Sequence, residues 1–160
     1  MLNITVLCVG KLKESFYIAA VREYEKRLKG YCKLTLLELP EEKLPNAPSQ
    51  AQIDAALEKE AQAIFAKLPK RATLVALCIE GKELSSEQLA QKFQRWATSG
   101  VSAIALVIGS SYGLHLSVKG QAALRLSMSP MTFPHHLARV MLLEQVYRAF
   151  KINEGSLYHK

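Results

Sequence analysis

Two apolar runs constrain the fold more than any other feature of the chain. Thr73-Leu74-Val75-Ala76-Leu77-Cys78-Ile79 and Val101 to Ile108 contain no charged residue. Each predicts a strand buried on both faces, as the central strands of a parallel sheet are. Parallel neighbours need a crossover between them. Here Glu80-Gly81-Lys82 reads as a turn, and Ser85 followed by Gln88 has the spacing of a capping box that opens a helix running to about Ser99, with Gly100 as its stop. The same alternation is present upstream. Ile4 to Val9, closed by Gly10, reads as a buried strand, and Tyr17, Ala20, Val21, Tyr24 and Leu28 form the apolar stripe of a helix over Glu14 to Lys29. Lys33 to Leu39 reads as a second strand ended by Pro40, and Ser49 with Gln52 caps a helix through Leu68.

Downstream of Ile108 the pattern shortens. Ser117 to Leu126 predicts a short helix, Ser127 to Phe133 a short fifth strand or a structured loop, and His135 to Phe150 a strong helix, after which Lys151 to Lys160 has no period. Strands alternating with helices imply a single α/β domain over residues 1–160, with a mainly parallel sheet and helices on both faces. A chain of 160 residues that is 49% hydrophobic can bury such a core, which excludes disorder by composition.

Charge is unevenly placed. Residues 1–87 hold 13 basic and 12 acidic side chains, whereas residues 88–160 hold 8 basic and 2 acidic, so nearly all of the formal net charge of +7 lies in the second half. That asymmetry points to an anionic partner, nucleic acid before an acidic membrane surface, with a merely basic protein as the plain alternative. Cys8, Cys32 and Cys78 are odd in number and lack C-x-x-C spacing, which argues against a disulfide framework or a zinc ribbon and fits a reducing, cytoplasmic setting. The first ten residues lack the basic start of a signal peptide, and no stretch is long enough to span a membrane, so no membrane association is expected.

Open α/β sheets bind ligands beyond the carboxyl ends of their strands, which directs attention to the loops after the third, fourth and fifth strands. Gly109-Ser110-Ser111-Tyr112-Gly113 could expose bare backbone amides to a ligand, or be a plain turn. It is neither G-x-G-x-x-G nor a P-loop. Ser127 to Pro134 holds two prolines, hydroxyls, methionines and a phenylalanine; a rigid loop of this kind could grip a flat ring, or simply connect to the next helix. His135 and His136 are adjacent, so they point apart on a helix, and no carboxylate lies near them in sequence; metal binding is not expected, and the pair reads as ordinary histidines at a helix N-terminus or as residues near a substrate. Glu144 and Arg148 lie four apart on one helix face, the spacing of an ordinary ion pair. Glu144 is nevertheless the first carboxylate after Glu87. The chain ends Tyr158-His159-Lys160.

Taken in order, Ile108 to Gly113, Ser129-Pro130-Met131-Thr132-Phe133-Pro134-His135, Arg139 to Ala149 (which includes Glu144-Gln145-Val146-Tyr147-Arg148) and Tyr158-His159-Lys160 resemble the ribosomal large subunit methyltransferase H family, over essentially the whole chain. One departure is Ser110, where the family usually has a second glycine. The resemblance implies a SPOUT-class α/β fold with a C-terminal trefoil knot, a homodimer with sites at the subunit interface, and S-adenosylmethionine as cofactor. It implies methylation at N3 of a pseudouridine in the helix 69 loop of 23S rRNA, on the assembled ribosome. The cofactor contacts it implies are Leu77, Gly109, Met128, Ser129, Pro130, Met131, Thr132 and Phe133, and the residues of activity are Glu144, Arg148, Tyr158 and His159, to which the reading above adds His135. A noncatalytic RNA- or ribosome-binding module is the competing expectation.

Overall fold

The structure, a computed structural model, describes residues 1–159. Its sheet has five parallel strands: β1 (Leu2–Val9), β2 (Cys32–Leu39), β3 (Thr73–Glu83), β4 (Ala103–Ile108) and β5 (Leu124–Ser127). Their order is β2-β1-β4-β3-β5, so the most apolar strands, β1 and β4, lie inside and pair with each other, Ile4 beside Ile104 and Leu7 beside Val107. Four helices connect them, α1 (Ser15–Leu28), α2 (Gln50–Lys67), α3 (Ser86–Thr98) and α4 (Leu116–Gln121), and a fifth, α5 (His135–Asn153), follows the last strand.

Strand alternation divides the core in two. Ile4, Val6 and Cys8 of β1, with Ile104, Leu106 and Ile108 of β4, face α1, α3 and α5. Leu7, Val9, Ala105 and Val107 face α2 and α4 on the other side. Each large aliphatic side chain fully removed from water in these layers contributes about 1.5–3 kcal/mol. Both expected capping boxes are formed: Ser49 and Ser85 Oγ accept from the backbone amides of Gln52 and Gln88 at 3.2 and 3.1 Å, and the two glutamines accept in return from the serine amides.

Three boundaries differ from the sequence reading. Glu80-Gly81-Lys82 is not a turn; β3 continues through it to Glu83 with an irregular register against β5, Leu77 and Lys82 both facing Leu126. Glycine is required there, because a Cβ on Gly81 would lie 2.8 Å from the Arg125 backbone. The short helix stops at Gln121, and the run read as its end is β5, in which Leu124 and Leu126 are buried and Arg125 is exposed. Residues 128–134 are loop, the other of the two expectations for that stretch. Finally, α5 runs past Phe150 to Asn153, held by Lys151 Nζ donating to Tyr31 Oη at 3.0 Å and Asn153 Nδ2 donating to the Ala90 carbonyl at 3.0 Å.

The placement of α5 shapes the carboxyl end of the sheet. β5 lies on the outer edge beside β3, yet α5 begins above the end of β1, with His135 Nε2 only 3.3 Å from where a Gly10 Cβ would stand. Residues 128–134 therefore pass over the ends of β3 and β4. One buried side chain fixes the helix there: Arg139, 3% exposed, donates from Nη1 to Glu38 Oε2 at 2.7 Å and from Nη2 to the Gly10 carbonyl at 3.0 Å. Glu38 Oε2 also accepts from the Leu12 amide at 2.8 Å. Burial alone would raise the Glu38 carboxyl, but Arg139, the Leu12 amide and nearby Lys11 outweigh it and hold the group below the usual carboxylate range.

Removing one partner of a buried ion pair is costly, so Arg139→Met should destabilise the fold by about 3 kcal/mol, read as a lower urea midpoint. A carboxyl lowered in the folded state adds stability above its unfolded pKa and loses it as pH falls through the folded value. Wild-type stability should therefore fall on acidification below the ordinary carboxylate range, and that fall should be shallower in Arg139→Met.

Candidate functional site

A cavity of about 580 Å³ opens at the carboxyl ends of β3, β4 and β5. Leu77, Leu114, Leu126, Met128 and Phe133 supply apolar wall, and Gly109 to Gly113 supplies backbone. The turn at the end of β4 is tight: Gly113 has φ +85°, its amide donates to the Ser110 carbonyl at 2.9 Å, and a Cβ on Gly109 would lie 2.2 Å from the Gly113 carbonyl oxygen. No side chain other than hydrogen fits there. On the opposite wall, the Ser129 carbonyl accepts from Ser127 Oγ at 3.1 Å, and Ser129 Oγ accepts from the Met131 amide at 3.0 Å, which stiffens the loop after β5.

Of the residues expected around a cofactor, Leu77, Gly109, Met128, Ser129, Met131, Thr132 and Phe133 line this cavity, whereas Pro130 is exposed and does not. His135 lines it too, so it stands apart from the other expected residues of activity. Burial, with His136 beside it, holds His135 below the usual histidine range, so its imidazole is neutral at pH 7. Cys78 is half-buried and lines the cavity, although its apolar setting in sequence suggested full burial. Glu80 and Lys119 form an ion pair at the mouth.

Glu144, Arg148, Tyr158 and His159 form a second cluster. Arg148 donates from Nε and Nη2 to Glu144 Oε1 at 2.9 and 2.7 Å, and the Tyr158 hydroxyl donates to Glu144 at 3.1 Å. The guanidinium sits 4.7 Å from the centre of the Tyr158 ring, and its Nη1 lies 3.2 Å from His159 Nδ1. An arginine can only donate, so Nδ1 accepts, and Nε2–H is left to donate to Glu87 Oε1 at 2.7 Å. His159 holds the exposed Glu87 carboxyl down to about 2. Burial and the Glu144 contact raise the Tyr158 hydroxyl, and the same causes push Tyr24 up to about 12. Lys160, expected as part of this tail, lies outside the described residues.

The two groups are apart. Ala138 lines the cavity, but Glu144 is six residues further along α5, roughly 9 Å on the helix rise, and Arg148 roughly 15 Å. Sequence reasoning missed Glu87, whose one local signal was its place in the first turn of α3, where a carboxylate serves the helix dipole. It also missed Glu60, which is 95% removed from solvent and accepts from Ser110 Oγ at 3.0 Å. Among the described residues no group of His, Cys, Asp or Glu side chains is placed to hold a metal ion, and no helix is long and apolar enough to cross a membrane.

A parallel α/β sheet with a pocket built by the loops at its strand ends places the chain among α/β ligand-binding folds, and the match to known proteins specifies the family. Residues 2–159 match the family described as Predicted SPOUT methyltransferase, and the chain belongs to the SPOUT methyltransferase family. Among solved structures, a probable methyltransferase from Bordetella pertussis Tohama I superposes with a TM-score of 0.59 at 14% identity, over 93% of this chain and 95% of that one. A probable methylase family protein from Haemophilus influenzae Rd KW20 superposes with a TM-score of 0.55 at 14% identity, over 99% of this chain and 71% of that one. At such identity the likeness speaks for the fold.

Gly109→Ala should force the turn open. The expected result is faster hydrogen exchange at the Gly113 amide and a loss of about 1–3 kcal/mol of stability, with strands β1 and β2 unchanged in protection.

Proposed function

We propose that this chain is an S-adenosylmethionine-dependent methyltransferase acting at N3 of a pseudouridine in the helix 69 loop of 23S rRNA, on the assembled ribosome in the cytoplasm, as a homodimer. The observation that carries the cofactor reading is the cavity itself. Its apolar walls suit a flat adenine ring, and the Gly109–Gly113 turn, closed to any Cβ at Gly109, keeps bare backbone available for the ring edge and ribose. When bound, the cofactor supplies an electrophilic methyl group on a sulfonium. Leu77, Gly109 and the stiffened loop 128–133 would hold it, with Pro130 serving the conformation of that loop from outside the cavity.

The remaining chemistry belongs to the second cluster. The N3–H of pseudouridine is weakly acidic and must lose its proton for N3 to act as nucleophile. Glu144 already accepts from Arg148 and Tyr158, which makes it a poor base. His159 is the better one: Nδ1 takes the proton once Arg148 turns from it to a carbonyl oxygen of the base, while Glu87 on Nε2–H orients the ring and stabilises the imidazolium. Tyr158, kept protonated, anchors Glu144 and offers a ring face for stacking. His135, neutral at the cavity wall, would position substrate there.

The separation of the two groups supports the dimer reading. Within one chain His159 is held against Arg148 and Glu87, away from that chain's cavity, whereas a second copy could set its tail cluster over the first copy's cavity. The electropositive second half supports an RNA substrate. The C-terminal trefoil knot is part of the same reading, with residues 128–134 returning across the strand ends.

Ribosomes lacking the modification should accept labelled methyl from this enzyme, and mapping should place the label on the helix 69 pseudouridine. A noncatalytic ribosome-binding module would leave them unlabelled. In single turnover His159→Ala should be slowed about a hundredfold or more. Wild-type rates in that variant across pH 6–9 would remove His159 as the base.

Mixing supplies the test of the dimer. Refolded together, a chain with a blocked cavity (Gly109→Val) and a chain lacking the base (His159→Ala) should regain activity that neither homodimer has, since one of the two composite sites is then intact. No recovery, with mixed dimers demonstrated by mass, would show that each site is built within one chain.

A further inference from the structure

Glu60 lies on α2, on the opposite side of the sheet from α5, and is 5% exposed. Its carboxylate joins two segments that meet under the cavity: Oε1 accepts from Ser110 Oγ at 3.0 Å, and Oε2 accepts from the Glu42 amide at 2.9 Å. A parallel contact stands beside it, where Glu41 Oε1 accepts from Ser111 Oγ at 3.0 Å. Burial raises the Glu60 carboxyl, with Glu41 and Glu42 adding to it, against the lowering effect of the two hydrogen bonds. A carboxylate kept in that environment is retained at a cost in desolvation, which two donors from separate segments offset.

Ser110 is the link to the site. It is 7% exposed, it borders the cavity, and it adjoins Gly109, the residue whose Cα faces the Gly113 carbonyl so closely that no Cβ fits. A serine hydroxyl at this place could turn into the cavity or be held away from it; Glu60 holds it away. We propose that Glu60 is a positioning residue of the cofactor site, setting the 109–113 turn through Ser110 from the far face of the sheet. The inference rests on the cofactor reading given above. It also assigns a reason for Ser110: the hydroxyl serves as an anchor, in a turn where a glycine would be left to find its own conformation.

The test is S-adenosylmethionine binding to the full chain by calorimetry, with urea unfolding measured in parallel. Glu60→Met keeps the side-chain volume and removes both acceptors. It should weaken binding roughly tenfold, the factor that a buried donor left without its acceptor commands. Glu60→Gln, which can still accept from Glu42 and donate to Ser110, should recover most of that loss. Ser110→Gly should weaken binding severalfold on its own, and in that background Glu60→Met should cost little more, because the path through Ser110 is already gone.

Wild-type affinity in Glu60→Met, or losses from Glu60→Met and Ser110→Gly that simply add in the double variant, would overturn the proposal, whatever happens to the urea midpoint. If Glu60→Met does not fold, Ser110→Gly and Ser110→Ala decide it, since unchanged affinity in both would overturn it equally. A wild-type chain that gives no heat with S-adenosylmethionine would instead overturn the cofactor reading beneath it.

Discussion

Arg139 is the interaction on which the rest of the architecture depends. A guanidinium that is 3% exposed must have its charge answered inside the protein, and it is answered by Glu38 at the end of β2 and by the Gly10 carbonyl at the end of β1. Helix α5 is thereby tied to the far side of the sheet from β5, the strand that precedes it. The short segment between them has no course except over the ends of β3 and β4, and that course is the roof of the cavity. Gly10 makes the approach possible, since at φ +106° it brings its carbonyl to the guanidinium and leaves the room that His135 occupies.

The cavity and the tail cluster differ sharply in polarity. The cavity is walled by aliphatic, aromatic and backbone groups, which suits recognition of a flat heteroaromatic ring by shape and by amide edges. The tail cluster is built from charge: one carboxylate, one guanidinium, two phenols and an imidazole, with a second carboxylate closing the line at Glu87. Arg148 is the pivot of that line, because it donates at once to Glu144 and to His159. Because His159 Nδ1 accepts from that guanidinium, its lone pair is engaged within the cluster. In the proposed reaction a carbonyl of the base would compete for Arg148, and that competition would free the histidine lone pair.

The sequence carried the sheet in its apolar runs and both capped helices in two Ser-x-x-Gln pairs, because those depend on neighbours within a few residues. It misread Glu80 to Lys82 as a turn for an equally local reason: Gly81 looks like punctuation, and what it accommodates, the backbone of Arg125 and Leu126, arrives from forty residues away. The brevity of β5 hid it inside a helical stripe. Most of the cavity wall was legible, since strand-end loops are where α/β sheets bind ligands, and the family resemblance pointed to the same loops. Glu60 and Glu87 were not legible. Each looks like an ordinary surface carboxylate on a helix, and only packing reveals that one is buried against Ser110 and the other meets the chain's tail.

The charge asymmetry of the sequence changes meaning once the chain is folded. Of the basic side chains in the second half, Lys119, Arg139, Arg148 and Lys151 are each ion-paired, and two of the four carboxylates that pair them, Glu80 and Glu38, come from the first half. Lys92, Arg95 and Arg125 are the described ones without such a partner, and Lys92 and Arg95 share α3 with Glu87. The second half therefore offers fewer unpaired cations at the surface than a count of its basic residues suggests. For an rRNA loop as the proposed substrate, shape and stacking would add to charge, and the half-buried rings of Tyr147 and Tyr158, 5.1 Å apart beside Arg148, are gathered where stacking could occur.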